Sequence, residues 1–318
     1  MIRILANDGL HDDGKLLLEE AGYEVDIMKV TQKDLPNVLP DYDVIIVRSA
    51  TQIRQDLIDK CPNLKVIVRG GLGYDNIDAE YAQSKDIKVM TTPIASSVSV
   101  AELVFGHLLC VARNLHKSNR QMRENGNVHF KKLKREYSEG FELKGRKIGI
   151  IGFGRVGQAV AQIAIGFGME IMPVDNAFES VKLDLDIFNI PNMSLTIDLP
   201  TYSFEEVLEH ADIISIHVPY IGKPLISNNE IAMMKDGVVL INASRGGTVN
   251  ETALLHGLNT GKIRAAGIDV FENEPTPNME LLNHPSVSTS PHIGASTVEG
   301  QRRVGLALAD KIIEFFGA

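Results

Sequence analysis

A chain of 318 residues, 44% apolar and 23% charged, has the balance of a folded globular protein and is long enough for two domains of ordinary size. Its net charge of −9 argues against a general nucleic-acid binder, which needs a cationic surface. Residues 2–6 read as a strand followed by a turn, without the long apolar stretch of a signal peptide. A helix over 15–21 ends at Gly22. Strands follow at 24–28, 44–47, 66–69 and 88–90, and a helix over 55–61 stops at Pro62. Short apolar strands separated by helices are the pattern of a parallel sheet covered on both faces.

Ser99 and Glu102 have capping-box spacing, so a long helix is expected from there to about Glu124. Val100, Leu103, Val104, Leu108, Val111 and Leu115 form its apolar stripe. Its most apolar part, around 103–111, is too short to span a bilayer and carries His107. The two cysteines, Cys61 and Cys110, make no zinc-ligand spacing. Cys110 is expected in the core, and a pair of isolated cysteines fits a reducing compartment. A cytoplasmic protein without a membrane partner is therefore expected, and nothing calls for a metal. Residues 125–144 are polar and basic, with Lys131, Lys132, Lys134 and Arg135, and by charge read as a solvated loop.

A second α/β unit starts at Arg146. Its expected strands are 147–151, 170–174, 213–217, 238–242 and 265–270, and its expected helices 156–166, 204–210, 228–234 and 251–260. A closing helix over 297–316 lies beyond it. The fold class is α/β, with two doubly wound parallel sheets.

Gly152-Phe153-Gly154-Arg155-Val156-Gly157 matches GxGxxG. The match has the context that gives it meaning: an apolar strand before it, a helix after it, and a second strand ending at Asp175. Gly152 permits the tight turn, Gly154 lets backbone approach a pyrophosphate, and Gly157 lets helix and strand pack closely. The helix N-terminus, with Arg155 and Val156, presents N–H groups to the anion. Asp175 is placed for a ribose diol and would repel a 2′-phosphate, so NAD is expected rather than NADP.

Three further segments fall at expected strand ends, where open α/β sheets bind ligands: 240–247, 267–275 and 290–296. They offer the groups that a 2-hydroxy acid or 2-keto acid requires. Arg245 can hold a carboxylate and the neighbouring oxygen in one orientation. His292 can take the hydroxyl proton as hydride leaves the carbon. Glu274 can fix the imidazole tautomer and favour its protonated form.

On these segments, together with Arg69–Asn76 and Ser97–Glu102, the chain resembles the D-isomer-specific 2-hydroxyacid dehydrogenases over essentially its whole length. The resemblance implies Arg245, Glu274 and His292 as the active-site trio. It implies a discontinuous substrate-binding domain, 1–98 with 294–318, an NAD-binding Rossmann domain over 99–293, and an active-site cleft between them. It also implies a homodimer built through the coenzyme domains. Asp269 would face the nicotinamide carboxamide. His217, Val218, Pro219, Ala243, Ser244, Gly294 and Ala295 would line the cofactor site, and backbone N–H groups of Gly71, Leu72 and Gly73 would meet the substrate carboxylate.

The runs Ile45–Thr51 and Ala101–Leu109 are most similar to those of the phosphoglycerate dehydrogenases. That similarity implies oxidation of D-3-phosphoglycerate to 3-phosphohydroxypyruvate, the first step of L-serine biosynthesis. Arg48, beside Ser49, would then approach the phosphate, and Arg135 would reach it from the partner subunit. Ser96 stands where relatives usually have Asn, and Leu72 where many phosphoglycerate enzymes carry Thr. Longer relatives have regulatory domains beyond the point where this chain stops, so no feedback control of that type is expected. The alternatives are a glyoxylate or hydroxypyruvate reductase, or a D-lactate-type dehydrogenase, with the same trio and no phosphate site. From another class comes an NAD-responsive binding protein or co-repressor, against which the intact trio argues.

Overall fold

The computed structural model describes residues 1–71, 73–92, 95–175, 179–185 and 195–317. The chain divides into two compact units, Met1–Ser97 with Ala295–Ala318, and Val98–Gly294.

The first unit contains β1 (Arg3–Ala6), α1 (Asp12–Glu20), β2 (Glu24–Ile27), α2 (Leu35–Val38), a 3-10 turn (Leu39–Asp41), β3 (Val44–Val47), α3 (Gln55–Ile58), β4 (Val66–Arg69), α4 (Ala79–Ser84) and β5 (Lys88–Thr91). The second contains α5 (Ser97–Ala112), α6 (Leu115–Glu136), β6 (Lys147–Ile151), α7 (Arg155–Gly166), β7 (Glu170–Val174), β8 (Ser180–Leu185), β9 (Leu195–Pro200), α8 (Phe204–His210), β10 (Ile213–Ile216), α9 (Asn228–Met233), β11 (Val238–Asn242), α10 (Glu251–Thr260), β12 (Ile263–Ile268), α11 (Met279–Asn283) and β13 (Val287–Thr289). The last helix, α12 (Val298–Phe316), belongs to the first unit.

The first unit's sheet is parallel, in the order β2-β1-β3-β4-β5. The middle strands β1, β3 and β4 are apolar except at Arg3 and Arg69, because alternate residues face opposite layers, while the edge strands β2 and β5 carry Glu24, Asp26 and Lys88. Leu5, Ile45, Val47 and Ile67 enter one core with Leu35, Leu39 and Leu57. Ile4, Val44, Ile46, Val66 and Val68 enter the other with Val304, Leu308 and Ile312 of α12. A Cβ on Gly14 would lie 2.5 Å from the Gly305 carbonyl oxygen, so α1 and α12 touch backbone to backbone.

The second unit's sheet is parallel, in the order β13-β12-β11-β10-β6-β7. Ile148, Ile150, Ile213, Val239 and Ile241 pack under α5 and α7. Ile214, Ile216, Leu240, Ala266 and Ile268 face the opposite layer of α9 and α10. Pro173 sits in β7, the edge strand, where a missing N–H interrupts no ladder between two neighbours.

Several expectations need correction. The long helix begins at Ser97 and breaks after Ala112, where Asn114 takes a left-handed φ of 53°. The two helices diverge by 61°, and Leu115, expected on the buried stripe, is half exposed. Residues 125–136 are helical rather than loop, with a kink at His129, whose φ of −113° and ψ of 20° leave the helical range. Leu133 anchors the last turn in the core, while Lys134 and Arg135 suit the helix's negative end. Cys110 is only half-buried, and Cys61 is the core cysteine. Strand β12 starts and ends two residues early, which leaves Asp269 just past its end. The antiparallel ribbon of β8 and β9 and the short β13 were not anticipated. Among the described residues no single helix is long and apolar enough to cross a membrane.

Candidate active site

In the second unit, β6 runs into Gly152, whose φ of 93° lies in the left-handed region. A Cβ there would sit 2.9 Å from the His217 carbonyl oxygen, and one on Gly157 would sit 2.3 Å from that of Gly152. Chain packing alone demands both glycines. Gly154 differs. It caps α7 with an ordinary φ of −73°, and a Cβ there would meet no protein atom within 4 Å. Its missing side chain leaves the helix N-terminus open, as a close pyrophosphate needs. Asp175 follows the last residue of β7. Val218 and Pro219 follow β10. His217 packs its Nε2 on the Ser215 hydroxyl at 2.8 Å. Burial pushes its ring down to about 3, so it stays neutral at ordinary pH. These residues fit a dinucleotide.

Gly154→Ala tests that fit. Without cofactor, Tm should fall by no more than about 2–4 °C, the reach of a cap change worth ~1 kcal/mol. Kd for NADH by fluorescence should rise about tenfold or more. An unchanged Kd would show that nothing binds against this turn.

Arg245 lies in the turn after β11. The buried Asn242 builds that turn: its Oδ1 accepts the Ser244 amide at 3.1 Å and the Ser244 hydroxyl at 2.8 Å. Its Nδ2 donates to the Arg245 carbonyl and the Thr248 hydroxyl at 3.2 and 3.0 Å. The Arg245 guanidinium donates to the Ser244 carbonyl at 2.7 Å. A Cβ on Gly246 would lie 1.8 Å from the Phe271 carbonyl oxygen, so this turn rests directly on the backbone that carries Glu274.

Glu274 and His292 meet. Glu274 Oε2 lies 2.8 Å from His292 Nδ1, and Oε1 accepts the Phe271 amide at 3.0 Å. Burial pushes the Glu274 carboxyl up. The His292 hydrogen bond, the Phe271 amide and the charges of His292 and Arg245 outweigh it, holding the carboxyl below its ordinary 4.5. An ionised carboxylate only accepts, so Nδ1 carries a proton and Nε2 faces the chemistry with its lone pair or a second proton. His292 has a φ of 53°, a left-handed backbone that a non-glycine residue adopts only where its surroundings impose it.

Those surroundings are Asp269. Its carbonyl accepts the His292 amide at 2.8 Å. Its carboxylate accepts the Ile293 amide at 2.9 Å and the Ser290 hydroxyl at 2.5 Å on Oδ1, and the Gly294 amide at 2.8 Å on Oδ2. Asp269 is 1% exposed. The side chain expected to face a carboxamide thus also anchors the histidine turn, and a cofactor would share an acceptor with three donors already on it. Gly294 is likewise engaged through its amide. Ala243 is buried, while Arg155 and Ala295 are exposed and Val156 half-buried.

In the first unit, Arg48 follows β3. Its amide donates to Asp8 Oδ2 at 2.8 Å and its guanidinium to Gln301 of α12. Ser49 is exposed. The Gly71 amide donates to the Thr92 hydroxyl at 3.0 Å, because a φ of 131° turns it back onto the strand-end after β5. That corrects the expectation that it offers its N–H outward. Gly73 remains part-exposed, and Leu72 lies outside the described residues. Arg135 is exposed in the last turn of α6.

Arg69 opens the family segment Arg69–Asn76 and is a site residue that the sequence alone does not single out. It is buried at the end of β4, with Nε on Asn76 at 3.2 Å. Asn76 also donates to the Arg48 carbonyl at 2.7 Å. An arginine on the last position of an apolar strand, before Gly-Gly, was the available signal.

Residues 105–294 match the family model of the D-isomer specific 2-hydroxyacid dehydrogenase NAD binding domain. The chain is 40% identical to the hydroxypyruvate reductase of Thermotoga maritima, covering 99% of this chain and 98% of that one. It is also 40% identical to the D-3-phosphoglycerate dehydrogenase of Methanocaldococcus jannaschii, covering 98% of this chain. It spans a little over half of that relative, 57%. The crystal structure of an NAD-dependent formate dehydrogenase from Staphylococcus aureus in complex with NAD superposes with a TM-score of 0.81. It is 28% identical, with 99% of this chain and 96% of that one covered.

Proposed function

The chain belongs to the D-isomer specific 2-hydroxyacid dehydrogenases, and we propose that this NAD-dependent oxidoreductase acts on D-3-phosphoglycerate and its 2-keto product. The observation that carries the substrate is Arg48. Its half-buried guanidinium is held by the neutral amide of Gln301. Among the described residues no carboxylate lies within ion-pair distance of that guanidinium. Charges withdrawn from water are normally paired. A cation supported this way, close to the buried Arg69, suits a doubly charged phosphate better than an uncharged hydroxymethyl group.

The chemistry follows from the second unit. Bound NAD supplies the acceptor for the hydride that leaves C2. Arg245 orients the C1 carboxylate and the C2 oxygen. His292 Nε2 takes the C2 hydroxyl proton, and Glu274 holds the resulting imidazolium through Nδ1–H. In the reductive direction the same imidazolium returns the proton to the carbonyl oxygen. We assign Gly73 to the carboxylate and Arg48 to the phosphate. We assign Arg135 to the same phosphate, contributed by the partner subunit of a homodimer.

The second reading is reduction of hydroxypyruvate, favoured by the Thermotoga relative that matches end to end. NADH oxidation against 3-phosphohydroxypyruvate, hydroxypyruvate, glyoxylate and pyruvate separates the two. The proposal expects the highest kcat/KM with the phosphorylated acid. It also expects Arg48→Gln to lower that value about 10- to 100-fold, the worth of one charge-assisted hydrogen bond, with little change for hydroxypyruvate. Equal or faster turnover of hydroxypyruvate by the wild type, unaffected by Arg48→Gln, would leave the hydride chemistry standing and remove the phosphate.

A further inference from the structure

His107 is a polar residue in the apolar helix α5. In the structure it is 5% exposed on α5, and both ring nitrogens are engaged. Nδ1 lies 2.9 Å from the Ser288 hydroxyl and Nε2 2.8 Å from the Ser290 hydroxyl. Ser288 is in β13 and Ser290 is the first residue after it. The ring stem lies hard against the sheet: a Cβ on Gly267 would be 2.5 Å from His107 Cβ. The helix therefore approaches β12 at the position where that strand has no side chain.

The direction of each bond follows from the end of the chain of contacts. Asp269 accepts the Ser290 hydroxyl at 2.5 Å on Oδ1, the oxygen that also accepts the Ile293 amide. The single hydroxyl proton of Ser290 is therefore directed to Asp269. Ser290 Oγ can meet His107 only as an acceptor, so Nε2 must carry the ring proton. Nδ1 of the neutral ring then accepts from Ser288. Burial pushes the His107 pKa down against the nearby Asp269 charge, with His116 adding to the lowering, which keeps the ring neutral.

We infer that His107 is a positioning residue for the reaction. As the Nε2–H tautomer it orders Ser290, which orders the Asp269 carboxylate, which holds the left-handed turn carrying His292. Its place in the mechanism rests on His292 being the acid/base. Its link to the turn does not.

The placement explains why a histidine suits this position better than an apolar residue. A leucine would leave the buried Ser288 hydroxyl and the part-buried Ser290 hydroxyl each short of a partner. Ser290 could then rotate away from Asp269, loosening a turn whose backbone is not self-supporting at φ 53°. A glutamine retains a side-chain N–H for Ser290. His107 touches neither substrate nor cofactor in this account. It acts through Ser290 and Asp269 on the geometry of His292, so its loss should appear first in kcat and in the dynamics of the turn, with a smaller loss of cofactor affinity through Asp269 because the glycine turn and Asp175 are untouched.

The test compares the wild-type protein with His107→Leu, His107→Gln, Ser290→Ala and His292→Ala. Three quantities are read at a temperature well below every Tm: kcat, Kd for NADH, and amide hydrogen exchange of Ile293 and Gly294. His107→Leu should lower kcat about tenfold and speed exchange at both amides about tenfold, a change of ~1.4 kcal/mol in local opening. Kd for NADH should rise by less than kcat falls, about threefold at most. His107→Gln should recover most of both losses. If His107→Leu does not fold, Ser290→Ala breaks the same link with a smaller change, and the same loss of kcat and protection is expected. Wild-type kcat and exchange in His107→Leu, or in Ser290→Ala where that is the variant that folds, overturns the inference. Substantial turnover in His292→Ala would instead overturn the acid/base role, while the exchange measurements would still decide whether His107 holds the turn. Nitrogen-15 shifts of His107 showing Nδ1–H in the wild type would also overturn it.

Discussion

His292→Ala should lower kcat by about 10³- to 10⁴-fold, at the upper end of what a positioned acid/base contributes. Its Nδ1 is tied to Glu274 at 2.8 Å, so Nε2 is the group that can exchange a proton with the C2 oxygen, and alanine supplies neither nitrogen. Kd for NADH should change by less than about threefold, because the glycine turn and Asp175 lie on other strand ends. Glu274→Gln should be milder, about 10- to 100-fold in kcat. An amide still meets Nδ1 but stabilises an imidazolium poorly. The pH dependence has a definite sign. The folded Glu274 carboxyl lies below its ordinary 4.5, so the contribution of its ionisation is fully present above that value. It is lost only as the pH falls through the lower folded value. Acid inactivation of the wild type should therefore begin below the ordinary carboxylate range, as far as this pair sets it. Turnover in His292→Ala within tenfold of wild type would remove the histidine from the proton transfer.

The parts legible in the sequence are those with short-range causes. The GxGxxG turn could be placed because an apolar strand, a helix and a second strand surround it within thirty residues. Arg245 and Glu274 follow β11 and β12, whose apolar runs read as strands, whereas the three-residue β13 before His292 is too short to read and that histidine was legible by its residue type alone. What escaped depended on contacts distant along the chain. His107 and Ser290 are 183 positions apart, and nothing local marks their pairing. The engagement of Gly71 with Thr92 needs β4 and β5 side by side. The break at Asn114 rests on a single backbone conformation, with apolar periodicity continuing on either side. The β8–β9 ribbon is a different case, because its signal was present. Val181, Leu183 and Leu185 alternate with Ser180, Lys182 and Asp184, and Leu195, Ile197 and Leu199 alternate likewise. That period of two reads as strand. The charge of residues 131–135 drew attention to solvent and away from Leu133, whose burial fixes the helix.

Gly246→Ala should lower kcat/KM about 100-fold while touching no catalytic atom. The added methyl would lie 1.8 Å from the Phe271 carbonyl oxygen and 2.4 Å from its carbon, so the turn after β11 and the backbone after β12 must separate by more than an ångström. Neither side yields readily. The Phe271 amide is bonded to Glu274 at 3.0 Å. The Glu272 amide is bonded to Glu251 Oε1 at 2.8 Å, while the Glu251 amide returns a bond to Glu272 Oε1 at 2.9 Å. On the other side, Asn242 and Thr248 clamp the Arg245 carbonyl. The strain must therefore displace Arg245 relative to Glu274, and a displacement of about 1 Å is enough to cost two orders of magnitude in a reaction that depends on alignment. Overpacking of 1–3 kcal/mol should also lower Tm by about 5 °C, so the kinetics belong at a temperature where the variant is fully folded. Gly154→Ala is the control. It has room for the methyl, keeps its fold and loses cofactor affinity, whereas Gly246→Ala should lose turnover with NADH affinity largely kept. A Gly246→Ala protein with wild-type kcat/KM would mean that the two turns adjust independently, and that the positions of Arg245 and Glu274 are set by something other than their shared backbone contact.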